Sequence, residues 1–435
     1  MQKKRLLQMK RTGAFLLTGT MLAVWMTGCG SSTGDSPASD DGKVAITIFN
    51  TKSEIQDQMV EMAEKYSKEK GVSVEVYYSN DPPATHLSTK YASDDPYTIS
   101  MVDAKNITTL GAEHGIDLSD EKWVDDTEME IRIDDKVYGF PVCVEGRGLM
   151  YNADAIEKIT GKAFAPESIT NLDEFEDLLE ELAAGGMKSP VGIQKEDWSL
   201  AAHYLAEIYD KAENPDAYVE GLHDGSINIA EDDSFNALMD TFDVLMKYNY
   251  AKDSAVAAER ELTEQKFAEG EIAFLYGGNW DWSLINAYDY TENMGIMPVP
   301  ENIESDTKDQ IAGGATKFFY IDSSDEISDK EREAARDFLN WLVYDEEGQK
   351  FVTEDCNMIS PFSTNSTLEV SDPLSKSVQS YLEAGKITGM YDYQPDDYYT
   401  VVGASFQKYL AGQMSRSDFA KDIQTYWKNT ALVEH

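Results

Sequence analysis

Residues 44–76 place an apolar strand, an amphipathic helix and a second apolar strand in succession, and a unit of this length closes as a parallel strand pair with the helix packed on one face. The first run, VAITIF, occupies 44–49. Ser53 and Gln56 have the spacing of a capping box. Ile55, Met59, Met62, Ala63 and Tyr66 then fall at offsets 0, 4, 7, 8 and 11, one stripe of a helix. Gly71 ends the stripe, and Val72, Val74 and Val76 alternate with polar residues as the returning strand. A third strand is predicted over 97–102, with Asp103 at its carboxyl end, where open α/β sheets collect ligands.

The alternation continues. Residues 136–152, KVYGFPVCVEGRGLMYN, read as two extended stretches interrupted by Pro141 and by Glu145-Gly146-Arg147-Gly148. Asn171 and Glu174 frame a second capping box, ahead of a stripe of Phe175, Leu178, Leu179 and Leu182 closed by Gly185-Gly186. A strand at 191–193, helices over 198–209 and 234–248, strands at 271–276 and 317–321, and a capped helix from Ser328 past Phe338 and Leu342 follow, and the C-terminal part reads as mostly helical. No internal repeat is present. With 42% hydrophobic residues, a folded part of this length buries more than one core. The expected fold class is α/β, two lobes with more than one crossover.

The N-terminal segment has a different character. Lys3, Lys4, Arg5, Lys10 and Arg11 precede an apolar run of 15 residues, 14–28, shorter than the ~20 residues of a bilayer-spanning helix. It ends Met26-Thr27-Gly28-Cys29, which resembles the lipoprotein signal-peptidase box, with Met26 where leucine is usual. The resemblance implies removal of 1–28 as a lipoprotein signal peptide and a diacylated Cys29, and the Gly-, Ser- and Asp-rich stretch 29–42 reads as a disordered linker. The chain is then expected at the extracellular face of the cytoplasmic membrane, lipid-anchored. There are 80 acidic and 37 basic residues, and loss of the five N-terminal cations takes the formal charge from −43 to about −48, which excludes nucleic acid as a partner. Cys143 and Cys356 remain, either as a disulfide or as small core residues.

Common catalytic signatures are missing: no G-x-S-x-G, H-E-x-x-H, Walker A, G-x-G-x-x-G or C-x-x-C occurs, and five scattered histidines do not suggest a metal site. Carboxylate pairs suited to a glycosidase stay open, since 80 acids supply pairs at any spacing. The positive signal is Gly277-Gly278-Asn279-Trp280-Asp281-Trp282 after an apolar strand. A glycine pair lets backbone approach a ligand, and tryptophan faces stack on sugar rings while Asp and Asn bind hydroxyls. Packing at a helix start is the competing role for both tryptophans.

Four stretches together carry a family resemblance: ITIFN with EIQDQMVEMAEKYSKEKGVSVEV, KVYGFPVCVEGRGLMYNAD, FAEGEIAFLYGGNWDWSLI followed by MGIMPVP, and GGATKFFYID before AARDFLNWLVYDEEGQKF. In this order the chain resembles the family 1 extracellular solute-binding proteins of ABC importers over almost all of its length after residue 43. The resemblance implies a two-lobed periplasmic-binding-protein-like fold of type II, with residues 43–143 and 313–360 in one lobe, and 144–312 and 361–430 in the other. Hinge strands are then expected near 142–145, 312–316 and 360–361. Carried over by position, Trp280 is the sugar-stacking tryptophan, with Asp281 and Trp282 beside it. Glu145 and Asp103 contact hydroxyls, and Tyr399 is a C-terminal aromatic platform. Asn50, Thr51, Asn80 and Trp198 lie on loops expected to face the cleft, with capping or packing as the alternative role for each, and Arg147 either pairs internally or binds an acidic sugar. Ser100 and Ala104 depart from the Trp and Arg of the maltose-binding members, so maltose itself is not implied.

The expected function is therefore that of a substrate-binding lipoprotein that captures a carbohydrate between its lobes and hands it to membrane permease subunits, without catalysis, cofactor or metal. A secreted glycoside hydrolase, a receptor for a non-sugar solute and an adhesive lipoprotein are the alternatives.

Overall fold

The computed structural model describes residues 43–79, 81–365 and 368–433. The expected signal segment, Cys29, the linker 29–42 and Asn80 lie outside the described residues. Ten strands among the described residues share one mixed sheet: β1 (Ala45–Asn50), β2 (Ser73–Tyr78), β3 (Ile99–Val102), β4 (Ile131–Ile133), β5 (Lys136–Asn152), β6 (Val191–Gly192), β7 (Phe274–Gly278), β8 (Met294–Met297), β9 (Ile311–Ile321) and β10 (Ile387–Thr388). The order is β2-β1-β3-β9-β5-β7-β6, with β10 on β9 and both β4 and β8 on β5.

The opening unit forms as its periodicity dictates. β1 and β2 pair in parallel from Ala45 opposite Ser73 to Asn50 opposite Tyr78, and the helix Gln56–Lys70 between them buries Met59, Met62, Ala63 and Tyr66. Gly71 terminates it in the left-handed region at φ 76°. The capping box at Ser53 does not form, because Gln56 Oε1 instead accepts a 2.9 Å bond from Asn50 Nδ2 and Ser53–Ile55 becomes a separate 3-10 turn. The capping box at Ser328 forms on the helix Asp329–Tyr344, whereas at Asn171 only the N-cap half forms: Asn171 accepts from the Glu174 N–H to cap Leu172–Ala184, and the Glu174 carboxylate accepts from the Thr170 N–H at 2.8 Å instead of from Asn171.

β5 differs from expectation. It is one continuous strand of 17 residues, and the predicted interruptions are bulges and close contacts within it. The register against β9 shifts between Pro141 and Cys143 and again between Cys143 and Val144, which absorbs the missing proline N–H. Gly148 is required by packing: a Cβ there would lie 2.5 Å from the Met297 carbonyl oxygen. β5 pairs with β9 from Phe140 to Arg147, then acquires β7 on one side and β8 on the other over Arg147 to Asn152. β9 in turn begins beside β10 and the middle of β5 and ends against β3. A third link crosses at the same level, where Val144 bridges Ile359 and its N–H donates to the Ile359 carbonyl at 2.8 Å.

The apolar core divides on either side of this crossing, which makes the fold two-lobed α/β. One cluster packs Ile48, Met59, Tyr66, Met101, Cys143, Phe338 and Leu339; another packs Phe175, Leu179, Phe235, Phe242, Phe406, Phe419 and Trp427; and Val144, Met150, Leu275, Ile311 and Ile359 pack together beside the crossing. Cys143 and Cys356 are both free thiols, and burial together with Glu145 pushes the Cys143 thiol up to about 12. The single helix predicted over 198–209 is instead a wide π-type turn, Trp198–Tyr204, followed by a short helix, Glu207–Asp210. That break aims Asp210 back toward β5, where it meets Arg147.

Candidate functional site

A cleft of about 890 Å³ opens beside the crossing strands, within the size range of small-molecule sites. The ends of β1 and β3 and the middle of β9 line it with polar groups, among them Thr51, Lys52, Glu54, Asp103, Thr316 and Lys317. The π-type turn, the turn after β7 and the start of the helix Tyr398–Leu410 contribute the aromatic groups Trp198, His203, Trp280, Tyr398 and Tyr399.

Trp280 owes its position to the glycine pair. A Cβ on Gly278 would sit 2.4 Å from the Trp280 indole, and one on Gly277 would sit 2.1 Å from Asp281 Oδ2. The space read from the sequence as room for a ligand is therefore filled by the turn's own side chains. His203 backs the indole at 4.8 Å and meets Trp198 edge-on at 5.2 Å. Burial lowers the His203 pKa well below its ordinary value, and Arg147, Arg260 and Lys317 add to the effect, so the ring is a neutral packing group.

Three predicted contacts are corrected. Asp281 is fully buried and does not line the cleft: it accepts from Arg260 Nη2, from the Gly278 N–H at 3.2 Å and from Gln194 at 3.4 Å, so its carboxylate closes the turn. Trp282 also points away from the cleft, packing edge-on against Tyr290 at 4.7 Å and beside the cluster around Leu275. Asn50 is fully buried. Its side chain holds the Lys52 N–H at 2.9 Å and the Lys52 carbonyl at 2.8 Å, shaping the turn that delivers Lys52. Glu145, Asp103, Trp198, Trp280 and Tyr399 all line the cleft, as does Thr51, whose buried hydroxyl has no protein partner.

Every lysine and arginine lining the cleft faces a carboxylate. Lys52 Nζ lies 2.6 Å from Glu145 and 2.7 Å from Glu54, and the Thr316 hydroxyl donates to the other Glu145 oxygen. Burial acts to lower the Lys52 pKa, and Glu145 overrides it and leaves the ammonium well above its usual range. Lys317 donates to Asp103. Burial pulls the Asp103 carboxyl up, and Lys317 more than reverses that. Arg147 pairs with Asp210, Arg260 with Asp281, and Lys105 with Asp396 at 3.1 Å. Arg147 thus has an internal partner. Lone buried charges are costly, and these pairs leave no lysine or arginine of the cleft without a carboxylate partner inside a strongly acidic chain.

Arg260 also spreads over the Trp198 ring, 5.1 Å from its centroid, and its Nε lies 2.8 Å from the buried Glu264. Burial first and Asp281 second push the Glu264 carboxyl up to about 9, so it is protonated at neutral pH. An acid raised in the folded state contributes stability that is full below its unfolded pKa and is lost as pH rises toward 9. Glu264→Gln, which keeps a neutral group of the same shape, is therefore expected to gain stability relative to the parent as pH rises from 5 to 8.5. Urea unfolding at pH 5 and 8.5 checks this. A difference between the two proteins that is the same at both pH values rules it out.

Lys52, His203, Arg260, Lys317, Asp392 and Tyr398 line the cleft without having been singled out from the sequence. Lys317 lies inside the quoted stretch GGATKFFYID and Lys52 directly follows β1, so each had a local signal. The others are brought in by packing alone. Chemically, the site presents aromatic faces to a flat apolar surface and alternating donors and acceptors to hydroxyls.

A family profile described as bacterial extracellular solute-binding protein matches residues 61–384. The chain is 25% identical over 361 residues to the maltodextrin-binding protein MdxE of Bacillus subtilis (strain 168), covering 80% of each protein. It is likewise 25% identical over 376 residues to a maltooligosaccharide ABC transporter solute-binding lipoprotein of Streptococcus pneumoniae serotype 4, again covering 80% of each. Among solved structures, that of the solute-binding protein RafE in complex with raffinose superposes with a TM-score of 0.71 at 18% identity, over 89% of this chain and 99% of that one. The profile match spans most of the chain and its two-lobed fold, and this protein belongs to the bacterial extracellular solute-binding protein family.

Proposed function

We propose that this chain is the substrate-binding lipoprotein of an ABC importer and that its ligand is a neutral carbohydrate, an oligosaccharide. The observation that carries the reading is the pairing of the aromatic faces of Trp280, Trp198 and Tyr399 with a cleft in which each cation already faces a carboxylate. A neutral polyhydroxylated ring can stack on the former and exchange hydrogen bonds with Glu145, Asp103 and Lys317 without leaving a charge unpaired. An acidic sugar would have to displace Asp210 from Arg147, which argues against that alternative. The relatives named for maltodextrin, maltooligosaccharide and raffinose binding support the same class.

In this reading the lobes comprise 43–143 with 313–360 and 144–312 with 361–430, and they rotate about the bulges of β5, the adjoining part of β9 and the Val144–Ile359 link. Closure on the sugar gives a shape that the membrane permease recognises, and separate ATPase subunits supply the energy. Micromolar capture requires about 8 kcal/mol, within reach of two or three stacked rings and several charge-assisted hydrogen bonds. Cys29 holds the receptor at the extracellular face of the membrane. No helix among the described residues is long and apolar enough to cross it.

The test is a thermal-shift screen against neutral and acidic mono- and oligosaccharides, with chromatography of each sugar after incubation. A rise of several degrees with a neutral oligosaccharide recovered intact is the expected result. Hydrolysis products would favour the glycoside hydrolase instead, and stabilisation by acidic sugars alone would overturn the neutral-ligand reading.

A further inference from the structure

Residues 390–397, between β10 and the helix Tyr398–Leu410, are bound to both lobes at once. On the second lobe, the Tyr391 N–H donates to Asp210 Oδ1 at 2.8 Å, while within the segment itself Gln394 Nε2 donates to the Tyr391 carbonyl at 2.7 Å. On the first lobe, Asp392 Oδ2 accepts from the Ala104 N–H at 3.2 Å, and Asp396 lies 3.1 Å from Lys105 Nζ. Tyr393 packs against both the core around Tyr209 and the core around Phe49, Val102 and Tyr320. One short segment thus spans the cleft by two polar contacts and one ring, and both polar contacts fall on the turn that directly follows Asp103.

We propose that residues 390–397 form a strap that holds the two lobes together, and that Asp392 is the group through which protons set how firmly it holds. This regulation rests on the solute-receptor reading only for its biological use; the strap itself involves no ligand.

The physical argument concerns charge at one strand end. Closure brings the Asp392 carboxylate beside that of Asp103, with Lys317 already engaged by Asp103 and Lys105 by Asp396. The groups acting on Asp392 are Asp103, Lys105 and Lys317 from the first lobe, and Tyr393 and Asp396 lie on its own segment. Burial, then Asp103, raises the Asp392 carboxyl to about 7, against the partial opposition of Lys105 and Lys317. Opening the lobes returns it to water and to an ordinary value of ~3.9. The closed arrangement therefore binds the extra proton. Its advantage is present on the acid side and is lost as pH rises through about 7. Between pH 6 and 8.5 the closed-to-open ratio falls about tenfold.

The experiment needs no sugar. Spin labels on Thr89→Cys in the first lobe and Glu220→Cys in the second, both exposed positions, report lobe separation in the full chain by pulsed dipolar spectroscopy. The parent is expected to give a short separation at pH 6 and a growing longer population at pH 8.5. Asp392→Asn, which is neutral and keeps an acceptor for the Ala104 N–H, should stay short at both values. Asp392→Ala with Asp396→Ala should be long at both. A pH response in Asp392→Asn equal to the parent's removes Asp392 as the sensor, and a short separation in the double alanine variant removes the strap. Failure of every sugar to bind would overturn the transport reading and leave these distances unaffected.

Discussion

Trp280→Ala is expected to weaken binding of the cognate oligosaccharide by about 30- to 100-fold while leaving the melting temperature of the unliganded protein nearly unchanged. The indole lies against Gly278 on one side and is backed by His203, so it is held in place before any ligand arrives. A ring that needs no reordering gives its full stacking energy to the ligand, which is why aromatic anchors in preformed clefts dominate affinity. The fold should tolerate the loss because Trp280 is only half-buried and belongs to none of the main apolar clusters. Titration calorimetry with the best sugar of the screen, alongside thermal melts, makes the measurement. Affinity within threefold of the parent would move the stacking role to Trp198 or Tyr399.

The largest stability effect is expected from Asp210→Ala, a loss of about 3–5 kcal/mol measured by urea unfolding at pH 7.5. Arg147 is almost fully buried and Asp210 is its partner, so truncating the acid strands a guanidinium beside Tyr276 and also frees the Tyr391 N–H. Burial outweighs Arg147 at the acid itself and lifts Asp210 to about 6. The pair is thus a poor source of net stability even though breaking it is costly, and the sign follows: its contribution declines as pH rises through about 6. Arg147→Met combined with Asp210→Leu should recover most of the loss. If the double variant is as unstable as Asp210→Ala, the penalty comes from lost packing and not from a stranded charge.

Both effects involve residues that the sequence names but does not pair. The strand–helix–strand opening was legible because its information is local: a stripe at helical spacing and alternation at strand spacing each specify one face. The N-cap at Asn171 and the capping box at Ser328 were legible for the same reason, since donor and acceptor sit three residues apart. Ser53 carried an equally good local signal. It lost because Gln56 found a better partner in Asn50, a contact that exists only after β1 has turned.

The cleft divides in the same way. Trp280 and Glu145 could be singled out by residue type beside a turn or a crossing strand, and both line the cleft. Asp281 and Trp282 flank the same turn with the same chemistry, yet one closes the turn and the other packs outward. Adjacent residues after a turn leave in different directions, and composition does not say which. Likewise the glycine pair announces a close approach without saying of what.

By itself, the sequence determined the α/β class, the parallel opening, the helices with the clearest apolar stripes and the family, all of which rest on patterns repeated over a few residues. Only the tertiary structure decided that β5 runs unbroken, which side chains meet in the cleft, and which carboxylate each of its cations faces. Lys52 finds Glu145 93 positions away, and Lys317 finds Asp103 across 214. Such pairings depend on burial and on the path of the chain through the sheet, and neither is encoded in the spacing of neighbours.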